Sequence, residues 1–460
     1  MFSAYSTGRA IHRVAAAGGP PAALTKLDQT RGENAHFWPQ FLPDGKRFLS
    51  LNRTNQPENT GIWVASLDAS EKPRRIVAAA SNAAYSPPPA PRWWGSGNGH
   101  VFFVRERTLM AQPVDGEGLA PAGEAFPVAE SVVYQDGMNK AEYSVSANGM
   151  LVYRSATGGL GRLVWRDRGG KEMGAVGAGA DFTSPRLSPD GKRAAFSRQD
   201  GSNVDIWIAE LERNTPTRFT FDPGLDRNPV WSPDGATLAF TSAAAGPRNL
   251  YRKSSSGAGN PERLTNSPVF QFVQDWSGDG RFLLFVELGQ ETGSDLMVLP
   301  VSGGGKPFAF LQTKFQETHG SFSPGAPRWI AYSSDESGVR EVYVQAFTPG
   351  QAASGARRQV STGGGTMPRW RGDGKELYYL SLDGKMMAAS VKSGSVNDSP
   401  AFQSSAPEVL FTSPVMASPT IYWTYDVTRD GRRFLLAEPA AEAESHPLTL
   451  VTNWQAAAKR

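Results

Sequence analysis

The chain has 460 residues, a length that suits two or three domains or one repeat array better than a single ordinary core. Its 47 basic and 44 acidic residues leave a net charge of +3, and no Lys/Arg block stands out, which removes the electrostatic case for nucleic acid or an anionic membrane. It has no cysteine, so disulfides, Cys-ligated zinc and thiol catalysis are excluded.

Forty-nine Gly and 34 Pro, with 39% apolar and 10% aromatic residues, describe a globular chain rich in turns and able to bury cores. Met1 to Thr7 shows no charged region leading into an apolar run, so no signal peptide is expected. The best apolar stretch, Phe282 to Val286, is only strand length. The chain as given is therefore expected to lack a membrane span and to be cytoplasmic, or extracytoplasmic if it is part of a membrane-anchored parent.

In chain order, Ala10 to Val14 and Ala23 to Leu27 read as the last two strands of a blade whose first strands are largely missing. A unit then recurs: an apolar residue, Ser-Pro-Asp-Gly or a relative of it, a polar pair, and a short apolar run. Phe41-Leu42-Pro43-Asp44-Gly45 is the first clear copy, while Trp94 to Gly99 and Val145 to Gly149 are degenerate ones. Regular copies follow at Leu187 to Gly191, Trp231 to Gly235, Trp276 to Gly280, Phe322 to Ala326, Trp370 to Gly374 and Val427 to Gly431. The second turn residue falls at 45, 99, 149, 191, 235, 280, 326, 374 and 431, a period of 42 to 57 residues. A period in the forties is that of a propeller blade.

The local physics agrees. Asp-Gly between two apolar runs is a hairpin signal, because Gly accepts the positive φ that the turn demands. A third run follows each hairpin, such as Asp205-Ile206-Trp207-Ile208, Asn249-Leu250-Tyr251 or Glu341-Val342-Tyr343-Val344, and a fourth follows a Gly-rich turn, as at Arg263-Leu264-Thr265. Four short antiparallel strands make one blade of an all-β propeller, and blades stack in a ring to cover their faces. The apolar residue before Ser-Pro is expected to fill the interface with the next blade.

Ser-Pro-Asp-Gly followed by an Asp-Ile-Trp or Asn-Leu-Tyr strand resembles the TolB-type propeller repeat, found also in the non-catalytic propeller of prolyl-oligopeptidase-like enzymes. Ser184 to Gly191, Leu163 to Gly170, Arg358 to Thr366 and the ending Leu450-Val451-Thr452-Asn453-Trp454 are also similar to the C-terminal sensor region of bacterial transmembrane serine/threonine kinases, especially acidobacterial ones. In those proteins two six-bladed propellers follow a kinase domain and one membrane helix. The resemblance implies a binding or sensor module. This chain departs from it in having no kinase domain, nucleotide loop or membrane helix, so it reads as a truncated or separately encoded tail.

Two domains are expected: an incomplete N-terminal propeller over 1–160, a half blade plus three blades, and a six-bladed propeller over 161–460. A single eight- or nine-bladed ring is the alternative. Leu163-Trp165 and Glu172-Val176 can complete the third early blade or lie against the second ring, and the last unit is one strand short of four.

The sequence offers little for catalysis. No Gly-x-Ser-x-Gly elbow of a seryl hydrolase occurs. The five histidines, at 12, 36, 100, 319 and 446, fall on different units with no metal-ligand spacing, so no metal or other cofactor is expected. Asp200 to Asp205 is oxygen-rich but reads as a turn feeding a strand rather than a calcium loop. The repeated aspartates 44, 190, 234, 279, 373 and 430 are turn residues whose side chains cap backbone donors, not glycosidase carboxylates. Trp94, Trp231, Trp276 and Trp370 recur at one repeat position and read as core.

The variable positions beside the repeat are the candidates. Five residues before the second turn residue stand Arg186, Val230, Asp275, Ser321, Arg369 and Asp426; seven before stand Ser184, Asn228, Val273, His319, Met367 and Thr424. Polar residues that vary at a repeated inner-strand position suggest a channel mouth. Arg186, Asn228, Asp275, His319, Arg369 and Asp426 are thus the expected ligand-binding set, for a protein, peptide or small ligand. The competing reading is inter-blade ion pairing, with Arg186 beside Asp426. A non-catalytic binding or sensor module is the expected function; a hydrolase or lyase acting in the channel, or the propeller remnant of a prolyl-oligopeptidase-like protein, is the alternative.

Overall fold

The computed structural model describes residues 1–3, 10–54, 57–88, 98–116, 118–135, 138–154, 161–200, 203–289, 292–302, 304–396, 399–415, 421–438, 448–452 and 454. The chain forms two compact units: Met1–Gly159 with Ala441–Arg460, and Leu160–Ala440. Both are built from antiparallel sheets. No helix among the described residues is long and apolar enough to cross a membrane. The degenerate turn beginning at Trp94, and the Gly158 to Leu160 part of the expected boundary, lie outside the described residues.

The second unit is a β-propeller of six sheets among the described residues. In the first sheet, Asp181–Leu187 pairs with Arg193–Asp200, which pairs with Asn203–Glu210, which pairs with Thr215–Arg218. Three further sheets repeat this order. In the fifth, Lys385–Val396 is long enough to pair with both Ser399–Ser404 and Glu408–Thr412. The six innermost strands are Asp181–Leu187, Asp226–Trp231, Gln271–Trp276, Thr318–Phe322, Thr366–Trp370 and Tyr425–Val427.

The repeated turn behaves as its chemistry dictates. Asp190, Asp234, Asp279, Asp373 and Asp430 each accept the backbone N–H two residues on, at 3.0–3.1 Å. In the first two sheets the preceding Ser188 and Ser232 donate to that Asp and accept the N–H five residues on. Gly191 and Gly235 sit at φ 69°, a region closed to most side chains. Two of the tryptophans before the turns reach the preceding sheet rather than the next: Trp231 donates its indole N–H to Arg186 O at 3.1 Å, and Trp370 to Ser321 O at 3.2 Å, while Trp276 donates to Gly280 O of its own turn at 3.1 Å. Trp231 packs there with Ile206, Ile208 and Phe219 of the first sheet, so the aromatic side chain covers the face already laid down.

The ring closes with strands from both ends of the unit. Arg162–Asp167 pairs with Arg433–Glu438, and Glu172–Val176 extends the same sheet outward. This supplies the strands that the last repeat lacks. With the edge of Arg433–Glu438 taken by Arg162–Asp167, Leu448–Val451 pairs instead with Leu151–Arg154 of the first unit.

The first unit holds two four-stranded sheets, running through Glu33–Phe41 to Arg74–Val77 and Ala84–Ser86 to Phe126–Ala129, and three smaller sheets. Ile11–Arg13 and Ala22–Ala23 pair as the expected strand remnant does. Ile11 N–H donates to Thr25 Oγ1 at 3.0 Å. The same contact joins Ile206 to Thr220, Leu250 to Thr265 and Val342 to Ser361 in the second unit.

Candidate functional site

The candidate residues lie where the innermost strands depart from regular pairing. The ladder shifts register between Thr183 and Arg186, Arg227 and Val230, Val273 and Asp275, Thr318 and Ser321, and Thr366 and Arg369. In three of these bulges a proline follows the extra residue: Ser184-Pro185, Asn228-Pro229 and Met367-Pro368. Proline has no N–H for the ladder, which is why it occupies a bulge inside a strand. Ser184, Asn228, His319 and Met367 have φ between 51° and 58°. Each such residue costs about 1–3 kcal/mol unless its surroundings hold it.

Backbone N–H groups in three of the bulges are held by hydroxyls. Asn228 N–H donates to Ser197 Oγ at 3.1 Å, Val273 N–H to Thr241 Oγ1 at 3.0 Å, and Met367 N–H to Ser333 Oγ at 3.2 Å. These hydroxyls come from the second strand of the preceding sheet. Sequence reasoning missed them, although Ser197 and Thr241 stand six residues after the second turn residue, Gly191 or Gly235, and Ser333 seven after Ala326.

Within the ring the charged candidates form two ion pairs. Arg186 of the first sheet pairs with Asp275 of the third. Asp275 also accepts Phe322 N–H at 2.8 Å and Ser321 Oγ at 3.3 Å from the fourth. Arg369 of the fifth sheet has its Nε 3.3 Å from Asp426 of the sixth, and Asp426 accepts Leu187 N–H at 2.8 Å across the ring closure. The expected Arg186–Asp426 ion pair is thus replaced by these two, with the Asp426 contact made to the neighbouring backbone. Burial pushes both carboxyls up, and the Arg186 charge opposes that rise at each. Two arginines against two aspartates leave the cluster balanced.

His319 is fully buried, with Nδ1 3.1 Å from Thr366 Oγ1 and 3.2 Å from Thr318 Oγ1. Burial, aided by the Arg340 charge, lowers its pKa to about 3, so the ring is neutral at physiological pH.

The expected open mouth is covered by the chain itself. Ile421 to Thr424, the segment entering the sixth inner strand, touches the other five sheets. Trp423 O accepts Ser184 N–H at 2.7 Å, and Ile421 O accepts Asn228 Nδ2 at 3.4 Å. Arg227 lies 4.8 Å over the Tyr422 ring, which meets Phe272 edge-on at 6.5 Å. His319 meets Trp423 edge-on at 5.1 Å, and the Arg369 guanidinium lies 3.4 Å over the Trp423 ring centre. Thr424 Oγ1 reaches Met367 Sδ at 3.3 Å. Hence Asn228, His319, Arg369, Asp275 and Asp426 are buried and not exposed on an open pocket. Several polar atoms nevertheless make no hydrogen bond among the described residues: Asn228 Oδ1, Ser184 Oγ, Trp423 Nε1 and the two terminal nitrogens of Arg369.

The oxygen-rich Asp200 to Asp205 stretch includes 201 and 202, outside the described residues; Asp200 and Asn203 are paired across a hairpin. No group of three His, Asp or Glu is placed to hold a metal among the described residues.

A ring of antiparallel sheets with variable polar residues on its inner strands defines a β-propeller. Residues 171–326 match the family model of the TolB beta propeller domain, and the chain carries a propeller of that TolB type. It is 36% identical over 121 residues to the Bacillus subtilis (strain 168) "Uncharacterized peptidase YuxL", a match spanning 25% of this chain and only 18% of that protein. It is 23% identical over 230 residues to the Agrobacterium fabrum (strain C58) "Uncharacterized protein Atu1656", covering 48% of this chain and 68% of that one. Among solved structures, a putative TolB from Agrobacterium tumefaciens superposes with a TM-score of 0.47 at 17% identity, over 60% of this chain and 97% of the other. An oligogalacturonate lyase in complex with manganese superposes at 0.39 and 16% identity, over 63% and 75%.

Proposed function

We propose that the second unit is a non-catalytic binding module that takes an extended peptide segment, from a protein or free, at the axial end lined by Asn228, His319, Arg369 and Ser184. The observation that carries this reading is the set of buried polar atoms without hydrogen-bond partners on successive inner strands, held there by strained bulges. Unpaired buried polar groups cost about 1–3 kcal/mol each, and such sites mark places built for something other than stability. Backbone groups of an extended peptide supply the donors and acceptors that these atoms lack.

A hydrolase working in the same place is less well supported. The histidine with hydroxyl neighbours, His319, has a pKa near 3, several units below that of an effective general base at neutral pH. We also propose that the first unit is the remainder of a second propeller, and that the chain acts as the sensor part of a longer receptor.

The test is selection from a displayed peptide library on the full chain, repeated on Arg186→Ala/Arg369→Ala. Peptides whose affinity falls at least about tenfold on the variant support the reading. Peptides that bind both equally, or turnover of fluorogenic peptide or ester substrates by the wild type, overturn it.

A further inference from the structure

We infer that Ile421 to Thr424 is an occupant in cis of the axial site, a displaceable stretch of the chain's own sequence that sits where an external peptide would bind. The inference rests on the binding reading above.

Three observations carry it. The first is the range of contacts. A strand-entry segment normally meets its own sheet and the two beside it, yet these four residues touch the first, second, third, fourth and fifth sheets. The second is their chemistry. Two successive aromatic side chains are inserted, each under an arginine: Tyr422 under Arg227 and Trp423 under Arg369. Carbonyls of the segment meanwhile accept hydrogen bonds from Ser184 N–H and Asn228 Nδ2. Backbone hydrogen bonds combined with side-chain pockets are how an extended peptide is bound. The third is incompleteness. With the segment in place, Asn228 Oδ1, Ser184 Oγ and the two terminal nitrogens of Arg369 still make no hydrogen bond among the described residues. A core segment selected only for stability leaves few such groups. The segment covers the site without satisfying it, so an external peptide that does satisfy these groups can outcompete it.

The expected ligand is therefore an extended peptide with adjacent aromatic residues. Its apparent affinity for the wild-type chain is reduced by the fraction of molecules in which the site is uncovered.

The experiment uses the blocked tetrapeptide Ile-Tyr-Trp-Thr as probe against the full chain and against Tyr422→Ala/Trp423→Ala, with a thermal melt to establish that the variant is folded. Saturable binding to the variant, and binding at least about tenfold weaker to the wild type, is the expected result. Equal affinity for the two, or no binding to a folded variant, overturns the proposal. If the variant does not fold, amide exchange on the wild type decides. Peptides selected on the wild type must accelerate exchange across 421–425, and unchanged exchange there overturns cis occupancy. Library peptides that bind the wild type and the variant equally remove the cis occupant while leaving the binding reading intact. Failure of every peptide on both chains removes both.

Discussion

Arg186 and Asp275 are ion-paired although a whole sheet lies between their own two, so the pair spans the ring rather than joining neighbours. Their side chains are 13% and 11% exposed. Arg186→Ala strands a buried carboxylate, a change that costs about 3–5 kcal/mol where no rearrangement relieves it. Denaturant unfolding of Arg186→Ala, Asp275→Ala and the double variant measures this. The double variant is expected to be more stable than the sum of the singles implies, and strict additivity would show that the pair is not coupled.

Two carboxyls give the second unit an unusual pH response. Burial pushes Asp226 up to about 7, helped by the charges of Asp205 and Asp222, and pushes Glu317 up to about 7, helped by Asp295 and Asp335. A carboxyl raised in the folded state holds its proton more tightly there than in the unfolded chain. Its stabilising contribution is complete below the unfolded value near 4 and is lost as pH rises through about 7, on the order of 3–4 kcal/mol per group. Unfolding midpoints are expected to fall from pH 5 to pH 7.5, and Asp226→Asn or Glu317→Gln to flatten that fall. An unchanged slope in both variants contradicts the assignment.

The turn aspartates act in the opposite direction and in a lower window. Hydrogen bonds from Ser232 and from Ala236 N–H hold the Asp234 carboxyl below its ordinary value. Ser232→Ala removes the hydroxyl that joins Asp234 to Thr237 N–H at 2.9 Å and is expected to cost about 1–2 kcal/mol. Because the two side chains act as one unit, adding Asp234→Ala is expected to cost little more, which equilibrium unfolding of the pair will show.

Ring closure is testable at Leu163, fully buried against Leu435 and Phe196 where the two ends of the unit meet. Leu163→Ala is expected to cost about 2–5 kcal/mol and to speed proteolysis of the second unit. Leu450→Ala, on the C-terminal strand and 60% exposed, is expected to change stability by less than about 0.5 kcal/mol. Comparable losses at the two sites would refute closure through Leu163.

Much of the fold was legible because it repeats. A hairpin turn fixes its own chemistry, so Ser188-Pro189-Asp190-Gly191 announced both the turn and the strands beside it. The candidate positions were legible for the same reason, being the variable places in a constant frame. Their partners were not. Arg186 forms its ion pair with Asp275, while its charge still acts on Asp426, because a long side chain reaches across the ring, and no spacing in the sequence encodes that reach. Within the second unit, Tyr422 and Trp423 share their repeat positions with single aromatic residues only, Phe182 and Phe272, so periodicity does not single out the pair. The Ser184-Pro185, Asn228-Pro229 and Met367-Pro368 steps ahead of the turns were the available sign of the bulges. Leu448–Val451 has the composition of a strand but nothing that names its partner, since that choice is made by the edge left unpaired elsewhere.

That choice has a consequence for synthesis. Leu151–Arg154 is complete as a sequence long before its partner Leu448–Val451 exists. About 300 residues separate them, which at ribosomal rates is a delay of roughly 15–60 s. For that interval the first unit presents an unfinished sheet edge, while the propeller that follows it can emerge and seal. The strand Leu448–Val451 thus closes the first unit's sheet only after the strands of the second unit have been made, and a nascent chain stalled before residue 448 would hold a finished second unit behind an unfinished first.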